Sequence, residues 1–177
     1  MFLELISSRR SIRKFKNKTV EKEKISILIE AALRSPSSRS RNPWQFVVIE
    51  DRETLDKLSE SKPHGSSFLK SAPLGIIICG DPSQTDVWVE DCSIATIFIH
   101  LAAHDLGLGS CWVQIRNRDH SPSKSADQYI KELISIADPM TIEAIMAIGY
   151  PDEIKESHAK NSLQFHKVLD VRGQPFH

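Results

Sequence analysis

Cysteine is scarce and odd in number: Cys79, Cys92 and Cys111 are the only three in 177 residues, each among apolar neighbours. Such a set points to reduced thiols in a cytosolic protein, not to the disulfide framework of a secreted one. Charge of one sign is lacking too, since Lys plus Arg and Asp plus Glu both number 23. That balance excludes the bulk electrostatic footprint of a nucleic-acid or anionic-membrane binder, so any anion must be held by a local cluster. Long apolar runs are missing. Gly75 to Cys79 and Ile97 to Ala103 fall far below the ~20 residues of a membrane span. Met1 to Ile6 carries no basic leader and is interrupted by Glu4, so no secretory signal is expected. Internal repeats and long linkers are absent as well. The expectation is a cytoplasmic protein with one domain over residues 1–177, of which 151–177 form a polar tail. A chain of this size buries about 70% of its unfolded surface and needs no disulfide or metal staple.

What is present alternates between two periodicities. A short helix is expected at 2–8. A second follows Thr19 as cap, with Glu21 and Glu23 in its first turn, an apolar face of Ile25, Leu28, Ile29, Ala32 and Leu33, and Pro36 as its stop. Gln45 to Ile49 suits a strand and Arg52 to Ser61 an amphipathic helix. Leu74 to Cys79 is apolar on both faces, as befits the middle of a sheet covered by helices. Asp86 to Leu106 suits a long helix closed by Gly107. It is apolar around most of its circumference and so must be buried in a core or a subunit interface. Ser110 to Val113, Ala126 to Ile136 and Ile142 to Ile148 give a strand, a helix and a strand. The tail has Leu163, Phe165, Val168 and Leu169 as its apolar anchors. The class is mixed α and β.

Three familiar sites are excluded. Gly109-Ser110-Cys111-Trp112 has the look of a papain-type nucleophile, but Leu108 stands where an upstream Cys belongs. Fewer residues follow Cys111 than the roughly 130–150 that separate that nucleophile from its histidine. Gly107-Leu108-Gly109 follows a helix, not a strand, and Trp112 takes the third glycine's place, which excludes a dinucleotide fingerprint. His100 and His104 share a helix face, yet Leu101 follows where a metalloprotease needs Glu, and no third ligand is near in sequence. Hydrogen-bonded core or interface histidines are expected, and no metal.

Two stretches remain. Arg9-Arg10-Ser11-Ile12-Arg13 packs three guanidiniums and a hydroxyl into five residues just after a helix, a dense donor set for a phosphate. Taken alone, it is equally compatible with a solvated basic turn. Ser35 to Trp44 is small, polar and hydroxyl-rich, and Trp44 leads straight into a strand that anchors it.

Together these stretches resemble the two N-terminal signatures of the FMN-dependent nitroreductase family: Arg9 to Phe15, then Pro36 to Trp44. The order continues with the long helix, Gly107 to Trp112, and Ile148-Gly149-Tyr150-Pro151, so the resemblance spans residues 2–152. It implies an α+β fold with a largely antiparallel sheet flanked by helices, a long buried central helix, and a C-terminal tail wrapping a partner subunit. It implies FMN held through Arg9, Arg10 and Ser11, with Arg13 at the pyrimidine end of the ring, where a fixed charge stabilises the reduced form. Ser37, Ser38, Ser40 and Asn42 would contact the flavin from the partner, and Val113, Gln114 and Ile115 would run beside its N5 edge. Lys160 is the nearest basic candidate for a phosphate ligand from the tail. Two departures stand out: Ser40 replaces the family's usual Asn, and Asn42 its more common Gln. No acid, base or nucleophile is demanded, because the flavin carries the chemistry.

The expected activity is hydride transfer from NAD(P)H through flavin N5 to an electron-poor acceptor, a nitroaromatic or a quinone, by a ping-pong scheme in a homodimer. The alternatives are a flavin- or nucleotide-binding regulatory module without turnover, or a specialised branch of the superfamily, which usually needs added lid segments.

Overall fold

A strand buried on both faces organises the computed structural model, which describes residues 1–176. No residue of β2 (Leu74–Gly80) reaches solvent. It lies between β1 (Trp44–Ile49) and β6 (Thr141–Gly149), and β3 (Gly109–Gln114) completes a four-stranded sheet in the order β1-β2-β6-β3. Every pairing is antiparallel, with Ile77 opposite Val47 on one side and Ile145 on the other. A small hairpin not expected from the residues, β4 (Asp119–Ser121) and β5 (Lys124–Ser125), stands apart.

Successive side chains of a strand point to opposite faces, and here both faces are covered. Ile77, Cys79, Ile145, Ala147, Val113 and Ile115 pack under α3 (Arg52–Ser59) and α5 (Ala126–Ile134). Leu74, Ile76, Ile78, Met146 and Ile148 pack under α2 (Lys22–Leu33) and α4 (Trp88–Asp105). Each fully buried Leu or Ile contributes about 1.5–3 kcal/mol of transfer free energy, so these two layers hold the domain together. The expected strand apolar on both faces is β2.

Helix ends follow local chemistry, with one correction. α2 does not start at a Thr19 cap: Glu21 is the capping residue, in extended conformation. Val20 is buried in the core beneath α2 and α4, and this anchor, not the Thr19 hydroxyl, fixes where the chain turns into the helix. The Asp51 carboxylate caps α3 by accepting the Thr54 N–H, and the Ser125 hydroxyl caps α5 by accepting that of Gln128. Gly107 follows α4 at φ +73°, the left-handed exit that glycine permits.

α4 begins at Trp88, two residues later than expected, and the chain itself covers only one side of it. Cys92, Ala95, Thr96, Ile99, His100 and Ala103 face inward, while Ile94, Ile97 and Phe98 are 36%, 43% and 37% exposed. No residue of 151–176 is buried. Among the described residues, no helix is long and apolar enough to cross a membrane.

Candidate functional site

The basic segment is pinned where α1 (Phe2–Ser8) ends against the sheet. Arg9 is already extended, Ser11 bridges Ser110 in parallel, and Phe15 bridges Pro151. The Ile12 N–H donates to the Ser110 carbonyl at 3.0 Å, and the Lys16 N–H to that of Tyr150 at 2.8 Å. Ile12 and Phe15 point inward and are buried. The approach is close: a Cβ at Gly109 would sit 2.7 Å from the Ile12 Cβ. Glycine at that position lets the segment lie on the edge strand β3.

With its apolar residues turned in, the segment is left with charge. Arg9 Nη1 donates to His100 Nε2 at 2.8 Å, and Arg10 Nη1 donates to the Glu156 carbonyl. The Arg13 guanidinium lies 5.7 Å from the centroid of the Phe68 ring, while its backbone N–H donates to Glu153. Lys155 Nζ donates to the Ser11 carbonyl at 2.8 Å and pairs with Glu153 at 3.2 Å. Lys160 joins Arg9 and His158 in lining a cavity of about 540 Å³ between α1 and the tail. Among the described residues, Arg9, Arg10, Arg13 and Lys160 have no side-chain carboxylate partner. Arg9 and Lys160 come from the two ends of the chain to one cavity, with Arg10 and Arg13 on the same segment as Arg9, a donor set suited to an anion.

The hydroxyl-rich loop is built differently. The Ser37 hydroxyl donates to Asn42 Oδ1 at 2.6 Å and accepts the Asn42 N–H at 3.0 Å, closing the loop on itself. Arg39, Ser40 and Asn42 take φ of 52°, 53° and 49°. Left-handed conformations of this kind cost on the order of 1 kcal/mol or more each for side-chain-bearing residues. They are held from below: Ser38 N–H donates to Asp91 Oδ1, and Asp91 is only 3% exposed. The second oxygen of Asp91 has no partner among the described residues.

Of the three residues expected beside a flavin edge, two turn away. Val113 and Ile115 send their side chains into the core under α3 and α5, leaving only backbone for a ligand. Gln114 faces the other way, accepting from Trp112 Nε1 at 2.9 Å and donating to the Arg116 carbonyl at 3.1 Å. Glu143, buried in β6, accepts from Arg116 Nε at 2.7 Å and closes that network.

Cys111 is buried, and burial pushes its thiol above its ordinary value, as it pushes Cys79 up to about 12. These are packing residues. His100 and His104 are committed to protein hydrogen bonds, His104 Nε2 to the Ser8 hydroxyl at 2.8 Å.

The structure thus brings Arg9 and Lys160 together at one cavity and lays Ser11 on β3, with Arg10 turned to the Glu156 carbonyl and Arg13 to Phe68, while the loop of Ser37, Ser38, Ser40 and Asn42 is held elsewhere. Asp91 holds that loop and His100 holds Arg9; the two lie about 14 Å apart along α4 at 1.5 Å per residue. Asp91, Phe68 and Lys155 carry no motif in the sequence, and His100 stands out only as half of a rejected metal-ligand pair with His104. Asp91 and His100 left one signal, an ionisable side chain on the inner face of a helix whose other buried residues are uncharged.

Comparison with known proteins places this geometry. The family model described as "Nitroreductase family" matches residues 6–64 and 60–150. A protein from Methanothermobacter thermautotrophicus, provisionally named NADH dehydrogenase/NAD(P)H nitroreductase, is 40% identical over 154 residues, 85% of this chain and 78% of its own. A structure described as an FMN-dependent nitroreductase from Clostridium difficile R20291 matches at 44% identity with a TM-score of 0.94, covering 96% of this chain and 98% of that one. A structure from Parabacteroides distasonis is 32% identical with a TM-score of 0.87, covering 96% of each chain.

Proposed function

The chain belongs to the nitroreductase family, and from that premise we propose that it is an FMN-dependent NAD(P)H oxidoreductase working as a homodimer with sites shared between subunits. The observation that carries the proposal is the cavity lined by both Arg9 of the first signature and Lys160 of the tail, neither of which has a carboxylate partner among the described residues. These residues fit FMN: its phosphate dianion needs charge-assisted donors, and Arg9 and Lys160 line one cavity.

FMN, when bound, would supply a two-electron hydride carrier between NAD(P)H and an electron-poor acceptor, in two separate half-reactions. The chain's own residues bind and tune. Arg9, Arg10 and Lys160 hold the phosphate, with the Ser11 hydroxyl beside them. Arg13 sets a fixed positive charge where negative charge accumulates on reduction. Its guanidinium has an aromatic face as partner and no acceptor, so its five donors remain available. Ser37, Ser38, Ser40 and Asn42 contact the flavin from the partner subunit. In support, the loop is held about 14 Å along α4 from Arg9 within its own chain, while α4 presents Ile94, Ile97 and Phe98 outward for a second copy to cover. Val113, Gln114 and Ile115 serve the N5 edge through their backbone.

The test is the visible spectrum of the purified protein before and after NADH under nitrogen. A flavin band that bleaches with NADH and returns with a quinone or nitroaromatic is expected. A band that forms with added FMN but never bleaches would mean binding without turnover.

A further inference from the structure

The two histidines of α4 grip consecutive residues of the segment that carries the phosphate donors. His104 Nε2 meets the Ser8 hydroxyl, and His100 Nε2 meets Arg9 Nη1, each at 2.8 Å. Four residues apart on a helix means one turn and one face, so the pair forms a rail on which the end of α1 is seated. His100 is the more constrained. A guanidinium only donates, so Nε2 must accept and carry no proton. The neutral ring then holds its proton on Nδ1, which donates to the buried hydroxyl of Ser110. Ser110 is itself fixed, as its carbonyl accepts the Ile12 N–H. The chain Ser110–His100–Arg9 therefore runs from the edge strand to the guanidinium with both ring nitrogens of His100 assigned.

We propose that His100 is a positioning residue: as a neutral acceptor locked by Ser110, it fixes one edge of the Arg9 guanidinium so that the other donors face a phosphate anion. The inference rests on the reading of Arg9 as a phosphate ligand. Arg9 has no carboxylate to orient it. A neutral acceptor does so without cancelling its charge, which a carboxylate in the same place would do. Burial and the neighbouring Arg9 charge hold His100 well below its ordinary value, in keeping with a ring that stays neutral.

The test separates the phosphate from the rest of the flavin. Apoprotein is titrated with FMN and with riboflavin, which lacks the phosphate, following flavin fluorescence. Wild type should prefer FMN. His100→Leu should weaken FMN about tenfold, the scale of one lost charge-assisted hydrogen bond, and leave riboflavin within about twofold. His100→Gln, whose Oε1 can take the place of Nε2, should restore most of the loss. His100→Asn, with an amide too short to reach Arg9, should behave as Leu does and serves if the Leu variant does not fold. In an Arg9→Ala background, His100→Leu should cost less than about twofold, because the two residues act as one unit. Equal weakening of both ligands, or unchanged FMN binding in both the Leu and Asn variants, would overturn the positioning role. A wild type with no preference for FMN over riboflavin would overturn the phosphate reading itself, and the inference with it.

Discussion

Asp91 Oδ1 accepts the Ser38 backbone N–H at 2.8 Å, tying a loop of left-handed residues to the first turn of α4. The other carboxylate oxygen is buried without a partner, so the pairing offsets only part of the cost of burying Asp91. The contact therefore serves loop geometry more than stability. Asp91→Asn should retain the acceptor and leave amide hydrogen exchange at Ser38 slow. Asp91→Ala should speed that exchange at least tenfold, the equivalent of about 1.4 kcal/mol of local opening. Slow exchange in the Ala variant would show that the Ser37–Asn42 closure suffices by itself.

Arg9 and Arg13 should separate affinity from potential. Arg9→Ala should weaken FMN retention tenfold or more, because a charge-assisted bond to phosphate contributes about 1.5–3 kcal/mol. Full loading of the purified variant would defeat that role. Arg13→Gln should lower the flavin's reduction potential with little loss of FMN. About 30 mV corresponds to 1.4 kcal/mol for a two-electron couple. Arg13 is exposed and solvent screens it, so the expected shift is on the order of 20 mV. An unchanged potential in a fully loaded variant would rule this out.

His100 makes stability pH-dependent in one direction. Burial first, then the charges of Arg9 and His104, lower it from 6.5 to about 4. Above pH 6.5 the ring is neutral in both folded and unfolded chains and contributes nothing to the difference. As pH falls, the unfolded chain takes up the proton first, so stability is lost progressively between 6.5 and about 4, by about 3 kcal/mol at most. His100→Gln should show a shallower fall of Tm across that window than wild type. Parallel Tm profiles would remove His100 from the acid transition.

Much of this was legible beforehand, and the gaps have physical causes. β2 and α4 are legible because burial demands apolar residues, and the apolar run Leu74 to Cys79 between Pro73 and Gly80 leaves little else to form; the strand extends one residue further, to Gly80. The start of α2 was misplaced because a Thr followed by acidic residues looks like a cap, and only tertiary packing reveals that Val20 must be anchored first. The basic segment showed its charge but not its partners. His100, Asp91 and Lys155 meet it or its companion loop across long sequence separations, and spacing along a chain carries no record of such contacts. Val113 and Ile115 rest on the family resemblance, which says nothing of side-chain direction, and both side chains turn into the core, Val113 from β3 and Ile115 just beyond its end.

Gly109 should be intolerant for a reason tied to the site. An added Cβ would lie 2.7 Å from both Cβ and Cγ2 of Ile12 and 2.9 Å from its Cγ1. The backbone that carries Arg9 to Arg13 would have to move, since Ile12 Cβ is not the end of a flexible side chain. Gly109→Ala should cost about 1–3 kcal/mol in stability and reduce FMN affinity as well. A stable variant with undiminished FMN binding would show that the segment can shift without harm to the site.

The last prediction joins the tail to the second subunit. Leu163, Phe165, Val168 and Leu169 are 40–53% exposed in the single chain, and so are Ile94, Ile97 and Phe98 of α4 at 36–43%. Phe2, Leu3 and Ile6 of α1 add to the same account. Apolar side chains at three separate places are more than a small monomer usually leaves to solvent, and a twofold arrangement lets each copy cover the other. The tail also carries Lys160 to the cavity it shares with Arg9. Its loss should therefore remove a phosphate donor and an interface at once. Truncation before Ser157 is expected to release FMN, yield monomer and increase binding of an apolar dye together. For the intact chain, Tm should rise with protein concentration and with FMN, because folding and association are then linked. A truncated monomer that stays yellow and oxidises NADH would refute the shared site, since one chain would then hold everything the flavin needs.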